Sequence, residues 1–329
     1  MPVEDIFSKE KVATLNEPVL LLAPMQGITN PIFREALINI GGMNLVATEF
    51  VRISQENQNI VPIKRHSIPL QIQLMASNPT VLAGGLQHLL NNGTIKEDDW
   101  LDLNAGCPAK RVNSRGAGAA LLSSPEKLLE MILAIRSVWN AKLSIKIRLG
   151  IKNALEFSEI LDALKSAPID FITIHAKTRE DALNSEATIN KEALKEASRG
   201  LPYPVIGNGD LWNAQDGINL VRECNLRGVM FGRPAVANPF IFNEFRTLWN
   251  NGQLESESIR CKMMQDFIQQ HLKKVMEQET SEHSLIGAWK ELTFWFARNP
   301  LIGEDFFNTT KYLCTLQACQ DYQDQVFCN

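Results

Sequence analysis

The stretch "WLDLNAGCPAKRVNSRGAGAALL", residues 100–122, ends an apolar run at Asn104 and places a lone thiol, Cys107, against Pro108. It then continues into Lys110, Arg111, Arg115 and a run of small residues. A single cysteine at the mouth of a basic, glycine-rich loop is set for chemistry, whereas a small buried apolar cysteine needs no such setting. The other cysteines, Cys224, Cys261, Cys314, Cys319 and Cys328, form no CxxC pair, which argues for reduced thiols and against a disulfide framework or a zinc site.

Reactive side chains recur at the ends of other apolar runs. Lys146 in "SIKIRLG" points either into the mouth of the fold or out toward helices, and a buried lysine needs an anion or an electron-rich ligand. His175 in "HAKT" suits an acid, a phosphate ligand or a structural hydrogen bond; a metal is disfavoured because no second histidine or acidic cluster lies nearby in sequence. "GNGD" (207–210) and "FGR" (231–233) supply Asn208, Gly209, Gly232 and Arg233, which fit a phosphate site built from backbone N–H groups, or alternatively turn the chain.

Eight short runs rich in Val, Ile, Leu and Phe must hold these groups: 19–24, 44–50, 70–74, 100–104, 143–149, 171–175, 204–208 and 228–232. They read as continuous apolar strands buried on both faces. Segments of helical period such as "NPTVLAGGLQHLLNN" and "SPEKLLEMILAIRSVW" alternate with them. This rhythm predicts an α/β fold, a (β/α)8 TIM barrel over residues 19–250, with the reactive groups on the loops after the strands. No G-x-G-x-x-G joins a strand to a helix, which removes the main support for an open dinucleotide-binding sheet. Residues 1–18 form a leader, and past the polar "NNGQLESES" the strand signal ends, so residues 251–329 are expected to be a helical domain.

The net charge is −4, yet the residues at or just after the strand ends are basic. Arg52, Lys110, Arg111, Arg115, Lys146, Arg148, Lys177, Arg179 and Arg233 face only Glu49, Glu180, Asp181 and Asp210 there. That excess points to a phosphate-rich ligand at the mouth of an otherwise acidic protein. No run reaches the roughly 18–20 apolar residues of a membrane span, and the mixed-charge start "MPVEDIFSKEK" lacks a signal-peptide core, so a cytoplasmic protein is expected.

Together the motifs "LLAPMQGITNPIFR", "TEFVR", "QIQLM", "LNAGCPAKRVNSRGAGAALL", "SIKIRLG", "PVIGNGD" and "FGR" resemble the tRNA-dihydrouridine synthases, and "TEFVR" resembles their bacterial C subgroup. The resemblance implies an FMN-binding TIM barrel with a C-terminal helical tRNA-binding domain. The implied reaction is reduction, by NADPH, of the C5–C6 double bond of a D-loop uridine, U16 in that subgroup. It further implies that Pro24, Met25, Gln26, Gln73, Lys146, His175, Asn208, Gly209, Asp210, Gly232 and Arg233 hold FMN. Cys107 is then the proton donor, and Arg52, Asn104 and Arg148 lie near the substrate. Lys146 stabilises negative charge on the reduced flavin, and Lys110, Arg111 and Arg115 contact RNA phosphates.

The Gly116–Ala120 run reads as a mobile loop that orders on tRNA. In the tail, Leu285, Trp289, Leu292 and Phe296 recur at helical spacing as a packed face, leaving Lys290 and Arg298 exposed for RNA. The chain departs from the family pattern in "HAKTREDAL", where Lys177 and Leu183 replace the usual Arg and Tyr, and in its leader. With no apolar helix seam, a monomer without an obligate protein partner is expected. Two competing readings are an FMN barrel enzyme acting on a free pyrimidine, of the dihydroorotate dehydrogenase kind, and a tRNA-binding flavoprotein with little catalysis.

Overall fold

The structure, a computed structural model of the 329-residue chain, describes residue 7 and residues 17–54, 63–153, 155–184, 186–278 and 280–327. Two compact units account for it: Met1–Pro24 with Met43–Phe231, and Met25–Gly42 with Gly232–Asn329.

The first unit contains strands β1 (Val19–Leu22), β2 (Leu45–Ala47), β3 (Val51–Arg52), β4 (Leu70–Met75), β5 (Trp100–Ala105), β6 (Leu143–Arg148), β7 (Phe171–His175), β8 (Val205–Asn208) and β9 (Gly228–Phe231). Each of the eight predicted runs carries a strand. All pairings are parallel; β1 pairs with β2 and β9, the ladder runs on through β8, β7, β6 and β5 to β4, and β2 pairing with β4 closes the ring. The short β3 adds to the edge of β4. This is the expected TIM barrel.

Between the strands lie helices Pro79–Asn91, Pro125–Arg136, Glu156–Leu164, Lys191–Gly200 and Ala214–Cys224. Their starts are written in the sequence. Asn78, Ser124, Asn190 and Asn213 each accept a backbone N–H from the first turn, and Asn213 and Asp216 form a reciprocal capping box.

The strand runs are not uniformly apolar in use, which corrects the reading of them as continuous. Ile72, Leu74, Leu101, Leu103, Ile145 and Ile147 are buried on the outer, helix-facing side, while the residues between them face the barrel interior. At the N-terminal end the interior is apolar: Val19, Leu21, Leu45, Trp100, Phe171, Ile206 and Met230 form one cluster with Phe7 of the leader. The Phe7 ring stacks on Phe171 with centroids 4.1 Å apart and lies 5.5 Å from Trp100. One or two steps further along the same strands the interior becomes polar.

The second unit is helical, as predicted for the tail, and also takes in Pro31–Ile40, Arg233–Ala237 and Ile241–Trp249. Its long helices, Glu257–Met276 and Glu282–Phe296, pack through Met264, Ile268 and Leu272 and through Leu285, Trp289, Leu292 and Phe296, the face the spacing predicts. His271 is buried against Phe267, and burial pushes its pKa down to about 4, so it is neutral there. Among the described residues no helix is long and apolar enough to cross a membrane.

Candidate active site

At the end of β5 the chain turns on Asn104, whose Oδ1 accepts the backbone N–H groups of Gly106 (3.2 Å) and Cys107 (3.0 Å). The Cys107 carbonyl is held from the other side by Asn113 Nδ2 at 2.8 Å and the Ala119 N–H at 3.1 Å. Its half-buried side chain, like that of Phe50, packs against the cluster of Met75, Val112 and Ala117. The thiol therefore sits on a backbone fixed at both of its polar atoms.

The small-residue run has a different role from the mobile loop predicted for it. Gly118–Ser123 forms a 3-10 helix in which Gly118, Ala119, Leu121 and Leu122 are buried. Gly118 has φ +62°, and a Cβ there would lie 2.9 Å from the Cys107 carbonyl oxygen and 2.8 Å from Val112 Cγ1. Only glycine lets this segment pass so close beneath the cysteine. The run is the seat of Cys107, because small residues permit close packing as readily as motion.

Behind Cys107 lies a buried polar network that the sequence reading missed. Asp102 accepts from Gln73 Nε2 (2.7 Å), Ser144 Oγ (2.7 Å) and Gln71 Nε2 (3.2 Å), and Gln73 Oε1 accepts from Asn104 Nδ2 at 2.7 Å. Burial pushes the Asp102 pKa up to about 6, while hydrogen bonds from Gln73 and Ser144 and the charge of Lys146 pull the other way. The missed signal was period two: "QIQ", "DLN" and "SIKIR" each alternate a polar with an apolar residue.

Across the interior Lys146 Nζ donates to Asn208 Oδ1 at 3.1 Å. Asn208 Nδ2 donates to the Met230 carbonyl at 2.7 Å, so its Oδ1 must also accept at 2.9 Å from His175, whose proton is thereby assigned to Nδ1. Burial pushes the Lys146 pKa down to about 8, Arg148 adds to the shift, and Asp102 and Cys107 oppose it. Gly209 has φ +122°, and a Cβ there would stand 3.0 Å from Ile189 and 3.4 Å from His175 Nε2. Next to it, Asp210 is ion-paired with the buried Lys177, one of the two departures from the family pattern.

Other predicted residues are placed as follows. Arg148 is buried and donates to the carbonyls of Gly106 (2.8 Å) and Thr178 (3.2 Å), bracing the Cys107 turn. Arg52 is half-buried on β3, and Lys110, Arg111 and Arg115 are exposed on the turn after Cys107. Pro24 closes the first segment of the barrel unit, whereas Met25, Gln26, Gly232, Arg233, Lys290 and Arg298 belong to the helical unit. There two guanidinium groups lie near the Trp295 ring, Arg298 at 5.0 Å and Arg233 at 6.0 Å from its centroid. Arg298 is exposed as predicted, but Lys290 is half-buried.

A sequence profile described as dihydrouridine synthase (Dus) matches residues 21–324. The chain belongs to the dihydrouridine synthase family. Its relatives within that family include proteins named tRNA-dihydrouridine(16) synthase. The one from Haemophilus influenzae is 32% identical over 237 residues, 67% of this chain and 74% of the relative. The one from Escherichia coli K12 is 32% identical over 248 residues, 70% and 78%. The one from Cupriavidus necator is 29% identical over 286 residues, 82% and 86%. These names agree with the resemblance to the C subgroup.

Among solved structures, the family member's fold is similar to 6-hydroxypseudooxynicotine amine oxidase from Pseudomonas geniculata N1. The TM-score is 0.53 at 11% identity, over 80% of this chain and 53% of that one, so the chain spans about half that enzyme's length. It is also similar to the old yellow enzyme from Trypanosoma cruzi, with TM-score 0.50 at 8% identity over 75% and 94%. At such identities the likeness shows the fold alone.

Proposed function

We propose that this dihydrouridine synthase reduces uridine 16 of tRNA, with FMN bound at the barrel mouth, NADPH as the reductant and Cys107 as the proton donor. One observation carries the reading: a half-buried cysteine fixed through both its backbone N–H and its carbonyl, in a barrel whose interior presents the Lys146 amine.

The interior fits a flat, polar-edged group carrying a phosphate. Thr173 Oγ1, on β7 beside Lys146 in register, is buried with no hydrogen-bond partner among the described residues, as a group awaiting a ligand atom would be. Gly209 brings bare backbone close to His175. Gln73, Lys146, His175, Asn208, Gly209 and Asp210 would hold FMN from the barrel unit, with Pro24 at its edge. When bound and reduced, FMN supplies a hydride.

The chain's own residues supply the remainder. Once C6 of the uracil ring has received a hydride, C5 carries the electron pair of the former double bond. That pair takes the proton from Cys107: the S–H bond breaks, a C5–H bond forms, and the thiolate left behind regains a proton from water. Asn104 and Arg148 hold the turn that aims the thiol. Lys146, charged below about pH 8, stabilises nearby negative charge.

A stacked base must leave its stack to reach the mouth, at a cost of a few kcal/mol. Exposed Lys110, Arg111 and Arg115 offset that through phosphate contacts, with Arg52 near the substrate. We assign residues 251–329 to tRNA binding through Arg298 and Lys290, and take the protein to be a cytoplasmic monomer.

The test is to incubate the FMN-loaded protein and NADPH with an unmodified tRNA transcript, then map any gain of two hydrogens by nuclease digestion and mass spectrometry. A single reduced uridine at position 16 is expected. Turnover of orotate or free uracil with the transcript unchanged would overturn the reading in favour of a free-pyrimidine enzyme.

A further inference from the structure

Asp102 has no part in the reaction above, yet it lies at 1% exposure at the head of a chain of hydrogen bonds that ends on the Cys107 backbone. Gln73 Nε2 donates to Asp102 Oδ2 at 2.7 Å, and Gln73 Oε1 accepts from Asn104 Nδ2 at 2.7 Å. Asn104 Oδ1 in turn accepts from Cys107 N at 3.0 Å and Gly106 N at 3.2 Å.

A side-chain amide has a donor end and an acceptor end of nearly the same shape, so a chain of two amides can run in either sense. Here both ends of the chain forbid the reverse. A carboxylate cannot donate, so Gln73 must offer it the NH2 end. A backbone N–H cannot accept, so Asn104 must offer it the oxygen. Turning either amide sets N–H against N–H or oxygen against oxygen inside a buried network, where a polar group left without its partner loses its hydration and gains nothing in return.

We propose that Asp102 is a positioning residue that fixes the sense of the Gln73–Asn104 amide chain and thereby holds the turn that aims the Cys107 thiol. This rests on the reading of Cys107 as proton donor. Ser144 Oγ at 2.7 Å and Gln71 Nε2 at 3.2 Å donate to the other carboxylate oxygen and keep the group in its acceptor-only form. The hydrogen-bond pattern makes Asp102 an acceptor at every contact, and the sense of the whole chain follows from that.

The test compares Asp102→Leu, Gln73→Glu and the double variant Asp102→Asn with Gln73→Glu. Each is read by the rate at which iodoacetamide alkylates Cys107, resolved from other cysteines by peptide mass spectrometry, and by melting temperature. For Asp102→Leu, kcat and KM on tRNA are also measured. Leucine removes the acceptor, and kcat is expected to fall about tenfold or more with KM for tRNA little changed, the pattern of a reacting group held out of place. The Cys107 alkylation rate should shift at least about threefold as its turn loosens.

Gln73→Glu sets two carboxylates face to face and should shift alkylation likewise. Adding Asp102→Asn gives the carboxylate introduced by Gln73→Glu a donor, leaves Asn104 Oδ1 for Cys107 N, and should return alkylation to the parent rate. A purely structural Asp102 would lower the melting temperature without this rescue. Parent-like alkylation and kcat in Asp102→Leu, or no recovery in the double variant, would overturn the proposal. Because alkylation needs no turnover, it still decides the point if Asp102→Leu fails to fold, through the Gln73 pair. It also decides the point if the parent proves inactive on tRNA, which would count against the proton-donor reading alone.

Discussion

The floor and the mouth of the barrel are made by the same strands and do opposite work. On β5, β7 and β8 the floor residues Trp100, Phe171 and Ile206 close around Phe7. Two residues further on, Asp102, Thr173 and Asn208 face the same interior with polar groups, and Asn104 and His175 follow. Two residues of strand advance only about 7 Å. Within that distance the interior passes from apolar packing to a hydrogen-bonded network that leads to the backbone of Cys107. Substitutions at the floor should therefore cost stability and those at the mouth should cost chemistry.

The comparison is broken most sharply at Cys107. Cys107→Ala should lower dihydrouridine formation about 10²–10⁴-fold, the usual contribution of a positioned proton donor, while the melting temperature stays close to that of the parent. Mass spectrometry of the tRNA product and a thermal melt together check it; undiminished activity would remove the proton-donor role. At the floor, Phe7→Ala should cost about 3–5 kcal/mol of unfolding free energy in urea titration, with the rate per folded molecule unchanged.

Gly118→Ala tests where the two behaviours meet. A methyl group 2.9 Å from the Cys107 carbonyl, at φ +62°, should cost about 1–3 kcal/mol of stability and lower kcat as well, because it pushes on the turn that carries the thiol.

The smallest effect is on pH dependence. Lys146 is charged below about pH 8, so activity that needs this cation should fall as pH rises through that value, and Lys146→Arg should erase that limb in a pH–rate profile. Stability runs the other way. Between about pH 8 and the ordinary lysine value of 10.5, the unfolded chain binds the extra proton, so this group's contribution to stability rises with pH.

The barrel was legible because eight apolar runs, bounded by turns and separated by helical segments, leave few other architectures. Cys107 and Lys146 were legible because each breaks an apolar context at a strand end. Asp102 was not, since one acidic residue between Trp100 and Leu103 looks like an interruption until the alternation along "DLN" and "QIQ" is followed across strands. The seat formed by Gly118 was misread as motion, because sequence cannot distinguish a glycine that lets a loop move from one that lets it pack. The grouping of Met25–Gly42 with the helices after Gly232 depends on contacts between segments about 200 residues apart, which no local pattern encodes. Phe7 was invisible for the same reason: its partners lie at Val19, Trp100, Phe171 and Met230.

That last arrangement bears on the order of synthesis. Phe7 leaves the ribosome before every residue it packs against, and its floor is complete only when Met230 has emerged. For more than two-thirds of translation the ring has only part of its seat, so a nascent chain halted before β9 leaves Phe7 exposed, and a finished one buries it.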